Sequence, residues 1–282
     1  MPKSEYPLSQ CAQDLHMRES ALEHWVQAIE RKKQAVLYGP PGTGKTYVAE
    51  HLARHLASGS DGFVDVIQFH PSYSYEDFVQ ARRTKALPDG NTEVCLESGR
   101  FLQFCDKARV LDGRCVLVID EINRPDLPRV LGELLYLLEN RDRQMPLAGG
   151  RSFSIPSNVR ILGSMNTADR SIALTDYALR RRFAFLPLYP DYDVLRRYHQ
   201  DALTGFDVEP LVHVLERLNR EIQEPDFSVG PSFFMRGDIG EQIEGIWRTE
   251  IEPYLEEHFR GQRDKAERFR WDRVGREILG RE

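Results

Sequence analysis

Four short apolar runs punctuate the first two-thirds of the chain: AVLY (35–38), CVLVID (115–120), VRILGSMN (159–166) and FAFLPL (183–188). Runs this short, bounded by polar or glycine-rich residues, predict buried strands. FVDVIQF (63–69) alternates apolar and polar residues and predicts a further strand. Segments of helical spacing lie between them. The first thirty residues read as helical, with Leu22, Trp25, Val26 and Ile29 on one stripe. A helix is expected from about Lys45 to Leu56, and PDLPRVLGELLYLLE (125–139) reads as one helix with proline near its start. The stretch between 69 and 115 reads as irregular. Strands alternating with helices predict a parallel α/β sheet. From about Asp191 the apolar spacing is purely helical, as in LVHVLERLNREI (211–222), and charge increases. The expected division is a helical segment over 1–34, an α/β domain over 35–190, and a helical domain with a charged tail over 191–282.

Composition narrows the class. The 282 residues, 41% hydrophobic and 29% charged, have an ordinary globular balance. No apolar run is long enough to span a membrane, and MPKSEYPLSQ lacks the apolar centre of a secretory signal, so a cytoplasmic protein is expected. A net charge of −6 excludes general attraction to nucleic acid while leaving room for a local basic stripe, such as a pore lining. Cys11, Cys95, Cys105 and Cys115 show no C-x-x-C spacing and read as reduced thiols, Cys115 as a buried small hydrophobe. The eight histidines show no metal-ligand clustering. His51 and His55 are one helical turn apart without a nearby Glu or Cys to complete a zinc site, and surface histidines are expected.

The chemistry begins where the first strand ends. GPPGTGKT supplies Gly39, Pro40, Pro41, Gly42, Thr43, Gly44, Lys45 and Thr46, a G-x-x-x-x-G-K-T pattern between a strand and a helix start. Glycines let the backbone N–H groups wrap a phosphate, and the helix N-terminus favours negative charge. Lys45 would reach the β- and γ-phosphates, and Thr46 would offer its hydroxyl to Mg²⁺. Asp120 and Glu121 close the strand CVLVID, where the C-terminal ends of a parallel sheet face the ligand crevice. Asp120 is then placed to hold Mg²⁺ directly or through water, and Glu121 to orient or deprotonate the attacking water.

Taken together, GPPGTGKT, the strand ending in Asp-Glu and the later strand ending in Asn166 resemble the AAA+ branch of P-loop NTPases. FHPSYSYEDF (69–78), IDEINR (119–124), GELLYLLE (132–139), MNTADRS (165–171), DYALRRRF (176–183) and VGPSFFM (229–235) narrow the resemblance to the McrB family, motor subunits of modification-dependent restriction systems. It runs from about Trp25 to Met235. It implies a P-loop AAA+ three-layer αβα core with a parallel sheet and a smaller helical lid, with GTP favoured over ATP as the nucleotide. Asn166 would then be the phosphate-facing sensor. Its neighbourhood, N-T-A-D, also looks like the N-K-x-D by which small GTPases read guanine. Asp169 lies only three residues beyond Asn166, too near the γ-phosphate to reach the base, so any guanine reading is sought before the phosphate loop, around Glu30 to Ala35.

DYALRRRF places Arg180, Arg181 and Arg182 at a helix end, where the bland reading is a solvated basic cap. The resemblance implies an arginine finger acting on a neighbouring subunit, with Arg181 and Arg182 as equal candidates and Arg124 and Arg170 as weaker interface residues. It further implies a homo-oligomer, a hexameric ring, and an McrC-like nuclease partner, with DNA met through that partner or the pore. FHPSYSYEDF either packs a loop on the core or, with Tyr73, Tyr75, Arg82, Arg83 and Lys85, lines the ring interior. A second sensor stays unassigned, since Ser232 stands near its position and Arg236 close by. The phosphate loop starts at residue 39, which leaves no room ahead of it for the DNA-recognition domain usual in the family, and the tail RFRWDRVGREILGRE shows no nuclease pattern. Recognition and cutting are therefore expected from partners. The rival readings are an ATP-dependent MoxR-like remodeller and a nucleotide-gated assembly scaffold.

Overall fold

The structure, a computed structural model, describes residues 4–86, 91–168 and 177–280. Two helices, α1 (Leu8–Asp14) and α2 (Glu19–Lys32), precede β1 (Gln34–Gly39), and α3 (Lys45–Ala57) leads to β2 (Val64–Gln68). The short α4 (Tyr75–Phe78) is followed by β3 (Gln80–Ala86), β4 (Thr92–Ser98) and α5 (Arg100–Ala108). Then come β5 (Cys115–Asp120), α6 (Leu127–Leu131), α7 (Leu134–Glu139), the short pair β6 (Met145–Pro146) and β7 (Ser152–Phe153), and β8 (Val159–Asn166). α8 (Tyr177–Arg182) and β9 (Ala184–Pro187) complete this part.

Five of these strands form one parallel sheet in the order β2-β5-β8-β1-β9. Alternation along the strands feeds two different layers. Val116, Val118 and Leu162 pack with Leu22, Ile29, Leu52 and other residues of α1 to α3 on one face. Cys115, Leu117, Ile119 and Ile161 pack with Phe101, Leu134 and Leu137 on the other. Burial on both faces is why β5 over Cys115–Ile119 and β8 over Ile161–Gly163 carry unbroken runs without polar side chains rather than alternating. The result is a three-layer αβα core, as expected.

A separate apolar cluster is drawn only from residues 192–278. It joins α9 (Tyr192–Asp201), α10 (Glu209–Ile222), α11 (Ile239–Ile246), α12 (Glu252–His258), α13 (Arg263–Glu267) and α14 (Trp271–Ile278) around the buried Trp247. Among the described residues no helix is long and apolar enough to cross a membrane.

Three local expectations are corrected. The helix expected over 125–139 is two helices, because Gly132 takes φ +49 between them and the Tyr75 ring occupies the space a Cβ there would need. The stretch read as irregular holds the antiparallel pair β3–β4 and α5. Their signal is weak because β4 is largely exposed and carries no buried face. His51 and His199 are buried rather than superficial, and each is satisfied: His51 Nδ1 by Tyr47 O at 2.9 Å, and His199 by Thr204 Oγ1 and Phe234 O. Cys11, Cys105 and Cys115 are buried, and all four cysteines are free.

Candidate functional site

Register fixes the site before any side chain is considered. Gly39 lies opposite Asn166 across the β1–β8 pair, and Ile119 lies opposite Gly163 across β5–β8. The C-terminal ends of β1, β5 and β8 therefore meet at one edge, bringing the phosphate loop, Asp120–Glu121 and Asn166 together. This is the crevice side of an open parallel sheet. The loop turns there because Gly42 and Gly44 take φ +71 and +82, a region that side chains disfavour. Lys45 Nζ donates to Pro40 O at 2.6 Å, and Thr43 Oγ1 donates to the same carbonyl at 3.0 Å. Lys45 thus lies folded over the loop that its ammonium would share with phosphate.

The Thr46 hydroxyl donates to Asp120 Oδ1 at 2.6 Å. Two hard oxygen donors from opposite walls of the crevice are therefore adjacent, which fits an Mg²⁺ ion completed by phosphate oxygens and water. Among the described residues no group of three or more His, Cys, Asp or Glu could hold a metal unaided. A cation here would depend on the nucleotide for the rest of its shell.

Ser164, missed in the sequence, sits at the centre. Its hydroxyl donates to Asp120 Oδ1 and lies 3.4 Å from Thr46 Oγ1, while the Glu121 N–H donates to Ser164 Oγ at 3.3 Å. A serine set within the run ILGSM was the available signal, and the structure leaves it 2% exposed. Ser164→Ala should keep the fold but lower turnover about tenfold, the worth of one hydrogen bond to a charged group. Steady-state kinetics beside a thermal melt would check this, and an unchanged rate would reduce Ser164 to packing.

Glu121 takes φ +53, an uncommon conformation for a side chain of this size. Its carboxylate lies partly buried, with Oε2 3.3 Å from Arg124 Nε. Strain of this kind costs about 1–3 kcal/mol and tends to be kept where orientation matters. Asn166 Oδ1 is buried without a hydrogen-bond partner at the end of β8. Asp169 and Arg170 lie outside the described residues.

Residues of the helical part close over the loop. Gly230 N donates to Pro41 O at 3.2 Å and Ser232 N donates to Gly42 O at 2.8 Å. A Cβ at Gly230 would meet the Gly42 carbonyl, and one at Gly42 would meet the Phe233 ring. Ser232 thus acts through its backbone, and Arg236 is engaged with Asp238 at 2.9 Å. Gly230→Ala should push the segment off the loop. We expect a destabilisation of about 1–3 kcal/mol, typical of forcing an extra carbon into a filled space, together with weaker nucleotide binding. Denaturant unfolding with and without nucleotide would show both, and a neutral result would contradict this contact.

Beside Thr43, Gly44, Tyr47 and Val48 opens a cavity of about 370 Å³, walled further by Leu15, Met17, Leu188, Tyr198 and Met235, with Asp14 and Asp191 also among its lining residues. Its mostly apolar wall and its continuity with the phosphate loop suit a nucleobase. The region expected for base reading, Glu30 to Ala35, lies elsewhere. Glu30 pairs with Arg114 at 2.7 Å and Arg160 at 2.6 Å, and Ala35 is buried near the start of β1. The six residues of that strand, at about 3.3 Å each, separate its beginning from the loop by roughly 20 Å.

The three arginines of α8 separate by environment. Arg181 is 72% exposed and grips Glu139 with Nε at 2.8 Å and Nη2 at 3.0 Å. Arg182 is 14% exposed, donates from Nε to Leu135 O at 2.7 Å and lies 3.2 Å from the same carboxylate. Arg180 rests over the Phe185 ring. In the 69–78 segment, Phe69 and Phe78 are buried, and Tyr73 stacks on Phe69 at 4.4 Å, so these aromatics pack the core. Arg82 and Arg83 are exposed on β3, Arg83 3.3 Å from Glu97; the side chain of Lys85 lies outside the described set.

Comparison with known proteins agrees with this geometry. Residues 34–183, more than half of the chain, match the family model described as an AAA domain of the dynein-related subfamily, and residues 210–267 match that of the McrB alpha-helical lid domain. The chain is 38% identical to the Type IV methyl-directed restriction enzyme EcoKMcrB subunit of Escherichia coli (strain K12), over 92% of this chain and 61% of that protein. It therefore spans about three-fifths of that relative's length. It is also 24% identical to the Type II restriction enzyme BsuMI component YdiS of Bacillus subtilis (strain 168), over 82% of this chain and 80% of that protein.

Proposed function

The chain belongs to the AAA family as a P-loop NTPase of McrB type, and from that premise we propose that it hydrolyses a nucleoside triphosphate to drive or regulate a nuclease partner in DNA restriction. The observation that carries this reading is the convergence of Thr46, Asp120, Ser164 and the strained Glu121 at the mouth of the phosphate loop. Gly39 to Gly44 cradle the phosphates through backbone N–H groups, and Lys45 swings from the Pro40 carbonyl to the β- and γ-phosphates. Thr46 and Asp120 would hold Mg²⁺, which would supply positive charge against the phosphates. Glu121 aligns the attacking water and takes its proton, and the idle Asn166 oxygen faces the same reacting centre. Arg181, exposed on α8, reaches the phosphates of a neighbouring subunit in a ring, while Arg182 holds the end of α7 to α8 as a positioning residue.

GTP is the favoured substrate in this reading. The cavity beside the loop carries Asp14, whose carboxyl is held below the usual carboxylate range by hydrogen bonds from Tyr6 and Gln10. An ionised carboxylate suits guanine's adjacent N–H donors and repels the acceptor edge of adenine. Restriction is assigned by kinship with the two bacterial relatives, as is an McrC-like partner. Division near residue 190 into a nucleotide-binding core and a lid belongs to the same proposal.

GTP and ATP hydrolysis compared side by side, with Glu121→Gln as the blank, tests the assignment. A preference for GTP, raised by the partner and DNA, is expected. Preference for ATP would remove the restriction reading in favour of a protein remodeller. GTP turnover indifferent to any partner would instead leave a nucleotide-gated scaffold.

A further inference from the structure

A second cavity, of about 590 Å³, lies near the beginning of β1, at the opposite end of the sheet from the phosphate loop. Its wall carries six cations: Arg31, Lys32, Lys33, Arg141, Arg181 and Arg182. Only two carboxylates, Glu139 and Asp142, share it. Glu139 is spent on Arg181 and Arg182, and Asp142 is exposed and 3.8 Å from Arg143. Lys32 donates to the Arg181 carbonyl at 2.8 Å. Among the described residues, Arg31 and Lys33 have no ion-pair partner.

Arg141 is the built element of this wall. Its Nη2 donates to Gln34 Oε1 at 2.8 Å, but Nε and Nη1 are buried with no acceptor. Gln34, 2% exposed, is fixed in turn by donating to Leu138 O and Arg182 O. A buried guanidinium with idle donors carries a desolvation cost that the single contact with Gln34 offsets only in part. Burial and the charges of Arg160 and Arg141 also hold the Lys33 ammonium below its ordinary range, so the cations here repel one another. The nearby Glu30 is consumed by Arg114 and Arg160. The wall has an excess of fixed positive charge and lacks its counter-ion.

We propose that this cavity is an anion site for a phosphate group, bounded by Arg31 and Lys33 at its rim and by the Gln34-anchored Arg141 in its wall. Cations arriving from α2, from the turn into β1 and from the segment after α7 surround the space from separate directions. A tetrahedral group with several oxygens can meet them together, and guanidinium is suited to it. The phosphate is either free or part of a sugar–phosphate backbone. The inference goes beyond the phosphate loop and uses none of its residues; because Arg181 and Arg182 of the wall also belong to the proposed contact with a neighbouring subunit, the test rests on Arg31 and Lys33 instead.

Pyrophosphate binding by equilibrium dialysis tests it, using full-length Lys45→Ala protein so that the phosphate loop contributes little. Saturable binding is expected, weakened about tenfold by Lys33→Ala or Arg31→Ala, each a charge-assisted contact. Both residues lie at the rim, so these variants should fold even if Arg141→Gln does not. A single-stranded oligodeoxynucleotide that displaces pyrophosphate would identify a nucleic-acid backbone as the source, and failure to displace it a free phosphate. Absence of saturable binding, or binding indifferent to both rim substitutions, would overturn the site. Because hydrolysis is not the readout, this result is separate from that of the nucleotide assignment.

Discussion

Replacing Glu121 by Gln is expected to lower turnover about 10²–10⁴-fold while nucleotide still binds, the range general-base removal typically costs. The side chain keeps its size, so only the ability to accept a proton is lost. Its backbone should hold the same strained φ of +53, because the Glu121 N–H still meets Ser164 Oγ and Ile122 N still donates to Ser164 O at 3.0 Å. Lys45, Thr46 and Asp120 remain in place to bind phosphate and cation. Single-turnover hydrolysis alongside equilibrium binding separates the two effects. Turnover within a few-fold of the unmodified protein would exclude Glu121 as the base and direct attention to Asp120. Loss of binding together with turnover would mean that the residue supports the loop instead of the chemistry.

The second large effect is expected at Arg181. Arg181→Ala should reduce turnover about 10³–10⁵-fold, the range for removing an arginine finger, with no change in nucleotide affinity or melting temperature. Arg181 is exposed and holds only a surface carboxylate, so little of the fold depends on it. Arg182→Ala should behave differently. It abandons the Leu135 carbonyl and half of the Glu139 pair, and is expected to lower stability by about 1–3 kcal/mol as well as activity. A mixture provides the stricter test. Arg181→Ala subunits retain an intact Glu121, and Glu121→Gln subunits retain an intact arginine. If the arginine acts across a subunit boundary, two inactive preparations should regain activity when combined. A mixture as inactive as its components would rule out action in trans.

Much of the core could be read from the chain because its signals are local. AVLY, CVLVID and VRILGSMN each carry enough consecutive apolar residues to be strands buried on both faces, and all three lie in the parallel sheet. The antiparallel pair of Gln80–Ala86 and Thr92–Ser98 was missed because Thr92–Ser98 is almost wholly exposed and leaves no alternating imprint. The single helix expected over 125–139 was split at Gly132, which takes a positive φ and leaves the space of a Cβ to the Tyr75 ring from another segment. Arg181 and Arg182 are chemically identical neighbours, so only the surroundings of α8 could assign one to the surface and the other to the Leu135 carbonyl.

By itself the sequence determined the phosphate loop, its strand-to-helix setting and the carboxylates that close the next buried strand. Each depends on contiguous residues whose backbone freedom, charge or apolar run carries the requirement. The tertiary structure decided what distant segments do to one another. It brought Ser164 between Asp120 and Glu121, laid Gly230 against the Gly42 carbonyl, and set Arg141 beside Gln34 in a wall richer in cations than in carboxylates. It also opened a cavity beside the phosphate loop, between residues 14–17 and 188–198, that no local pattern announced. Those relations are distances between segments far apart in the chain. No local pattern encodes them, because they exist only once the sheet order places β8 between β5 and β1.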